Sequence, residues 1–443
     1  MKDRIALDFA IIEVAPVLRD SIRLLRHGLN PTMKKITIIG AGVVGMATAS
    51  YLRRDGHDVT VVDMRPPGEY CSSGNAGILS PGSCVPFGLP GNLKKVPQWL
   101  LDPLGPLAIR PGYFLRALPW LLRFQAASRM ERVHPIADAL RALLGQTLDA
   151  WGPLAQWAGV PDLIRRTGYL VVYESEQGFR GDALGWKIRR DRGVVCEDLD
   201  AARIREFEPA LRGIYARGMF LPEQGFVANP LRLTQALAAQ FQQGGGKILQ
   251  RKVLDLEVGT GGSSALLTDA GRLPIETLVV CAGVHSNEFS ARLGSRVPLE
   301  SQRGYHVHFE NPAVTLRRPV LSGEGKFFAT PMETGLRVAG TVEFAGTEAA
   351  PDYARAIALE VQAARMLPGL AGSNVTQWMG HRPCMPDSLP VIGPSPRFAN
   401  VYFAFGHGHV GLCGGAPTAR IIADLIAGRK PNVDIAPFRA DRF

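Results

Sequence analysis

The stretch from Lys35 to Asp63, KITIIGAGVVGMATASYLRRDGHDVTVVD, restricts the fold more than any other part of the chain. Ile36 to Ile39 is a short run rich in β-branched residues, as a buried parallel strand requires. Gly40, Gly42 and Gly45 follow at once as a Gly-x-Gly-x-x-Gly. A helix-period segment then ends near Asp55-Gly56, and a second strand, Val59 to Val62, is closed by Asp63. In such a unit the first glycine allows a tight turn, the second lets backbone approach a pyrophosphate, and the third lets helix and strand pack closely. Phosphates then sit on the unpaired N–H groups and positive dipole end of the helix. The acid about 20 residues past the glycines is in reach of a ribose hydroxyl pair. The motif, its flanking elements and the acid in register together predict a dinucleotide site.

With 443 residues the chain is long enough for about two to three domains. Its 46% hydrophobic and 20% charged residues exclude a disordered chain. The net charge of +10 favours anionic neighbours, but the charges are scattered and no nucleic-acid motif accompanies them. Six cysteines (Cys71, Cys84, Cys196, Cys281, Cys384 and Cys413) stand far apart, without C-x-x-C or zinc spacing. That argues against a disulfide framework and a metal centre and for a reducing, cytoplasmic compartment. No apolar run has spanning length. Asp8 and Glu13 interrupt the apolar Ile5–Leu18 segment, unlike a secretory core. Residues 1–32 precede the fold, as an added helix or an over-long reading frame.

The run Cys71-Ser72-Ser73-Gly74-Asn75-Ala76-Gly77 is dense in small residues. It reads either as a turn-rich loop or as backbone brought close to a flat or charged group. Residues 85–130 are rich in Pro, Leu and Trp, and Tyr113–Phe124 combines aromatics with Arg116 and Arg123. This pattern suits a helical layer over a cleft, or contact with a membrane interface. Helical periodicity covers Leu140–Leu144, Leu148–Trp157, Ala201–Glu208, Pro230 onward to the Gly244–Gly246 stop, and Ala354–Leu367. A closing helix is expected over Ala416–Ala427, with Pro417 in its first turn. Lys247–Leu249, Val253–Val258 and Ala265–Thr268 read as three short strands. Thr277–Gly283 reads as a buried strand ending in small residues. Runs at Gly304–Phe309, Lys326–Thr330, Gly335–Gly340 and Thr341–Phe344 suggest an antiparallel sheet. The fold expected is α/β: a Rossmann-like nucleotide-binding domain (33–85, 226–296 and 377–443) with an inserted antiparallel-sheet α+β domain (86–225 and 297–376).

Four passages, Ser72–Gly77, Arg303-Gly304-Tyr305, Arg382–Gly393 and Gly406–Gly411, together with the closing Ala423–Arg429, resemble the FAD-dependent D-amino-acid dehydrogenases. These belong to the wider group of amine-oxidising flavoproteins that includes D-amino-acid, glycine and sarcosine oxidases. The resemblance covers essentially Lys34 to Phe443. It implies that Gly40, Gly42 and Gly45 hold the FAD pyrophosphate and Asp63 the adenosine ribose. Ser73, Asn75, Ala76 and Gly77 would line the flavin side, Val253 would meet adenine through its backbone, and Gly283 would pass close to the cofactor. Gly408, Val410, Gly411 and Leu412 would run past the pyrimidine end of the flavin ring. Backbone N–H groups before a helix N-terminus suit the negative charge of a reduced flavin there.

Arg382 matches the family's carboxylate-binding arginine, and its fork geometry suits bidentate capture of an amino-acid carboxylate. Tyr305 matches a tyrosine whose hydroxyl would bind the same carboxylate, or else it is a core tyrosine with its hydroxyl satisfied. His407 would touch flavin or substrate amine, or be a turn residue; His381 is a neighbour of Arg382. The family's flavin-linking cysteine aligns with Gly380, not Cys384, so FAD is expected to be non-covalent. The reaction implied is oxidation of a D-amino acid, of D-proline or hydroxy-D-proline type among others, to an imino acid that water converts to a 2-oxo acid. Electrons would pass to a quinone or another non-oxygen acceptor. Peripheral contact of residues 85–130 with the inner membrane face goes with that implication. The alternatives are an oxygen-using glycine or sarcosine-type oxidase, a NAD enzyme, and a FAD subunit that depends on a partner oxidoreductase.

Overall fold

The structure, a computed structural model, describes residues 33–102 and 104–443. The reading of residues 1–32 lies outside the described residues. Lys35–Ile39 sits inside a six-stranded sheet ordered Lys247–Gln250, Asp58–Asp63, Lys35–Ile39, Thr277–Val280, Val401–Phe405, Val391–Pro394. All neighbouring pairs are parallel except the last. One face packs through Ile36 and Ile38 against the helices Val43–Arg54, Pro230–Gln243 and Gly411–Ile426. The other packs through Ile39, Val62, Leu278 and Val280 against Phe289, Leu293 and a small antiparallel sheet. Burial on both faces explains why these strands read as continuous apolar runs rather than as alternation.

The three short strands expected after the Gly244–Gly246 stop are present and divide between two sheets, while the start of the closing helix is corrected. Lys247–Gln250 is an edge strand of the parallel sheet, paired with Asp58–Asp63. The small sheet is instead completed by Gly271–Pro274, which follows Val253–Gly259 and Gly262–Thr268. The closing helix begins at Gly411, so Pro417 lies inside it and not in its first turn. A proline there withholds the N–H that would bond the carbonyl four residues back, that of Cys413. The Thr147 hydroxyl lies 3.1 Å from that carbonyl and 2.6 Å from the Leu144 carbonyl, so its one proton is shared between the two.

The second large sheet has nine strands and is mostly antiparallel. At its core Glu300–Glu310 lies between Asn374–Cys384 and Gly335–Phe344. The Asn374–Cys384 strand belongs wholly to this sheet, so a domain boundary at 377 falls within a strand. Gly335–Phe344 is one strand, not two, and the break expected at Gly340/Thr341 is a bulge. Arg303 pairs with Glu343 but Tyr305 with Gly340, and Thr341 takes a left-handed φ of 56°. Gln302 stands directly opposite Arg382. Because side chains alternate, Gln302, Gly304 and His306 share the face of Arg382, while Tyr305, Val307 and Phe309 point the other way. The latter pack with Leu336, Leu359 and Met366 under the Ala354–Met366 helix.

Residues 85–130 contribute the helices Asn92–Leu101 and Phe114–Ala127 and the short strand Leu107–Ile109, which joins the edge of Gly335–Phe344. A buried ionic cluster ties this segment to the sheet. Arg303, with no exposed side-chain surface, lies 3.5 Å from Glu343, itself 2% exposed. Arg303 also donates to the carbonyls of Gly346, Ala349 and Ala350. Glu343 accepts from Arg110 Nε (2.8 Å) and from the Tyr305 hydroxyl (2.6 Å). Removing one partner of such a cluster strands the opposite charge without water. Glu343→Leu is therefore expected to lower unfolding stability by about 3–5 kcal/mol in urea titrations. A loss below about 1 kcal/mol would contradict this account of the cluster.

Candidate active site

A cavity of about 1390 Å³ runs from the glycine motif to Arg382 between the two large sheets. Its first end is a backbone cradle. Gly40 has φ +110°, and a Cβ there would lie 2.4 Å from the Cys281 carbonyl oxygen. A Cβ on Gly45 would lie 1.9 Å from the Gly40 carbonyl oxygen, so this glycine serves close packing of helix on strand and does not face the cavity. The Val43–Arg54 helix starts after Gly42 with no side chain capping its first turn from the N-cap position. Asp63 ends its strand with Oδ2 accepting from Ala41 N (2.7 Å), which fixes the carboxylate beside the turn. Val253, Gly283 (φ +56°), Gly408, Val410, Gly411 and Leu412 also border the cavity. The Gly411 helix directs its N-terminus into it. Two helix N-termini, an acid at the strand end and small residues in between fit a dinucleotide carrying a flat ring system.

The small-residue run is placed one residue off its expected register. Ser72, Gly74, Asn75 and Ala76 border the cavity, whereas Ser73 and Gly77 do not. Ser72 Oγ accepts from Val43 N (2.9 Å) at the helix start. Ser73 instead donates its hydroxyl to the Tyr70 carbonyl, and Gly77, with φ +74°, packs on the Val227 carbonyl. The Asn75 side chain closes the turn, donating to Ser72 O and accepting from Gly77 N. Arg337, which carries no motif in the sequence, clamps this loop by donating to the carbonyls of Ser73 and Asn75, each at 2.8 Å.

At the far end, Arg382 donates to the Thr341 carbonyl (2.7 Å) and the Gly340 carbonyl (3.1 Å), which the bulge turns toward it. No carboxylate among the described residues forms an ion pair with it. Burial lowers its pKa from the ordinary arginine value, yet a guanidinium stays charged in proteins. Gly304 makes room: a Cβ there would lie 2.1 Å from the guanidinium carbon. Two buried polar atoms of residues that border the same cavity, Gln302 Oε1 and Thr341 Oγ1, have no hydrogen-bond partner among the described residues. Tyr305 borders the cavity, but its hydroxyl donates to Glu343 and accepts from Asp352 N (2.9 Å), which matches the second of its two readings, a core tyrosine with its hydroxyl satisfied.

His407 borders the cavity from beneath the start of the Gly411 helix, buried, with Nε2 2.8 Å from the Thr418 hydroxyl. His381 packs beside Arg382, its Nδ1 2.8 Å from Ser301 Oγ. His306 stacks on Trp378 and pairs with the Gly74 carbonyl (2.9 Å). His409 is exposed to the cavity and stacks on Phe87 at 4.5 Å. Burial holds His407 and His381 at about 4, and burial with the nearby Arg337 charge holds His306 at about 3. All three are neutral at pH 7. Their unfolded values lie near 6.5, so below that pH the unfolded chain binds protons that the fold refuses. Stability present above pH 6.5 is expected to fall toward pH 4, by up to about 1.4 kcal/mol per pH unit per histidine. Thermal melting across that window checks it, and a flat profile would contradict it.

The comparisons agree with this geometry. Residues 35–425 match the family described as "DAO: FAD dependent oxidoreductase". A D-amino-acid oxidase of Bradyrhizobium diazoefficiens is 41% identical over 420 residues, covering 93% of this chain and 100% of its own. A D-amino acid dehydrogenase of the same organism is 32% identical over 424 residues, covering 92% and 99%. Glycine oxidase from Geobacillus kaustophilus has the same fold, with a TM-score of 0.70 at 21% identity over 93% of this chain and 100% of that one. With a family match across nearly the whole described fold and a cradle shaped for the dinucleotide, the chain belongs to the DAO family of FAD-dependent oxidoreductases.

Proposed function

We propose that the protein oxidises a D-amino acid, using non-covalent FAD, to the imino acid that water converts to a 2-oxo acid. The observation that carries this reading is Arg382: a half-buried guanidinium bordering the cofactor cavity, held by two backbone carbonyls and lacking a carboxylate partner among the described residues. Leaving such a cation uncompensated is costly, and a substrate carboxylate supplies the missing charge. When bound, FAD supplies the hydride acceptor. The chain's own part is positional. Arg382 fixes the carboxylate, Gln302 and Thr341 offer polar atoms beside it, and the cavity walls exclude water, so that reaction becomes effectively intramolecular. Gly380 supports non-covalent binding, because a Cβ there would lie 2.0 Å from the Trp378 ring and leaves no room for a linking side chain.

The electron acceptor divides two readings. A dehydrogenase would pass electrons to a quinone or similar carrier at the cytoplasmic face of the membrane. The outward apolar residues Leu101 (83% exposed) and Leu115 (78%) favour peripheral contact there. No helix among the described residues is long and apolar enough to cross a membrane. The second reading, oxygen as acceptor, is favoured by the name of the 41% identical relative, a D-amino-acid oxidase.

Arg382→Leu is expected to lower kcat/KM for D-amino acids about a hundredfold or more while FAD stays bound. Unchanged kinetics would overturn the reading. Peroxide formed in stoichiometric yield in air selects the oxidase. In flotation assays, liposomes containing anionic lipid are expected to carry the protein, and Leu101→Asp with Leu115→Asp to release it. Absence of the wild-type protein from the liposome fraction would remove the membrane contact.

A further inference from the structure

We infer that the substrate carries a large apolar, preferably aromatic, side chain, received by a pocket between the Phe114–Ala127 helix and the bulged end of Gly335–Phe344. This rests on Arg382 being the carboxylate anchor. Trp120, 5% exposed, donates its indole N–H to the Cys384 carbonyl (3.3 Å), two residues from Arg382. Its ring stacks on Phe124 (centroids 5.3 Å, planes 13° apart) and leans on Phe344 (5.5 Å). Phe124 meets Phe87 at 6.4 Å, and Phe87 stacks on His409. An aromatic wall thus runs from one flank of the anchor, at Cys384, to the other, at His409. The wall is tied down at its rim, where Ser388 takes a left-handed φ of 65° and its hydroxyl accepts from Phe87 N (3.0 Å).

Charge decides what this wall accepts. The described residues between 83 and 140 that border the cavity include no Asp, Glu, Lys or Arg; the charged Asp182, Arg189 and Lys326 border it from other segments, with Lys326 paired to Asp182. The buried cluster behind the wall is Ala117, Trp120, Val342, Phe344 and Cys384. A second carboxylate or an ammonium held against this wall would lose its water and gain no partner from it. An apolar chain instead gains on each buried methylene, and an aromatic one gains ring contacts as well. A substrate with no side chain, such as glycine, leaves the wall unused.

The test uses the FAD-loaded enzyme and unreactive carboxylates, with binding read from the shift of the flavin visible band. Along acetate, butanoate and hexanoate, affinity is expected to rise about threefold per methylene, with phenylacetate tightest. Adipate is expected to bind at least about tenfold more weakly than hexanoate. Phe124→Ala should flatten the series and Arg382→Leu should abolish it. Affinities independent of chain length, or adipate binding as tightly as hexanoate, would overturn the inference. Reduction of the flavin by D-amino acids is followed in parallel. A rising carboxylate series without any reduction sinks the catalytic reading and leaves the pocket standing. Turnover that prefers aspartate, or alanine over phenylalanine, sinks the pocket and leaves the catalytic reading.

Discussion

The functional architecture turns on a guanidinium seated on two carbonyls. Arg382 could not sit at that place against a regular antiparallel ladder, whose carbonyls point along the sheet to neighbouring strands. The bulge at Thr341 frees the carbonyls of Gly340 and Thr341 from that pattern and presents them to the cation. The left-handed backbone of Thr341 is the strain this arrangement carries, of the order of 1–3 kcal/mol, and it is held by the paired strands on both sides. Gly304, directly in front, keeps the space clear. What results is a half-buried positive charge facing the cavity, whose needs are only partly met by the protein.

The rest of the molecule places that charge opposite a cofactor cradle. The parallel sheet is buried on both faces and therefore rigid, and it ends in glycine turns and helix N-termini at one edge. The second sheet supplies the opposing wall. Arg337 from that sheet reaches across to hold the Ser73–Asn75 carbonyls, so the cradle loop is positioned by the wall it faces. The Arg303–Glu343–Arg110 cluster, on the far side of the same strands, locks the 107–113 segment and with it the aromatic helix above the cavity.

Local chemistry made the first half of this legible in the sequence. The glycine spacing, the flanking strands and Asp63 each impose their geometry over a few residues, and all of them stand where the spacing predicts. Val253, Gly283 and Gly408–Leu412 likewise border the cavity. The second half depends on register, which no local signal carries. Tyr305 and Arg382 are both in passages typical of the family, yet alternation along Glu300–Glu310 sends the tyrosine to the opposite face. A one-residue offset exchanges Ser72 for Ser73. The last helix opens early, at Gly411, and takes Pro417 into its interior, where Thr147, more than 250 residues away, lies beside the carbonyl left without its helical donor. The bulge left a trace, since the strand pattern breaks at Gly340/Thr341, but a break alone does not say what it turns toward. Gln302, Thr341 and Arg337 left none, being ordinary strand residues until the sheet is assembled.

The central claim is that this cavity brings the Cα–H of a D-amino acid to the flavin through Arg382. Anaerobic stopped-flow mixing of the purified FAD-loaded protein with the two enantiomers of phenylalanine, alongside sarcosine and glycine, tests it most directly. Loss of the visible flavin absorbance with D-phenylalanine and not with L-phenylalanine is the result this account predicts. Bleaching by sarcosine or glycine alone, or by neither enantiomer, would contradict it.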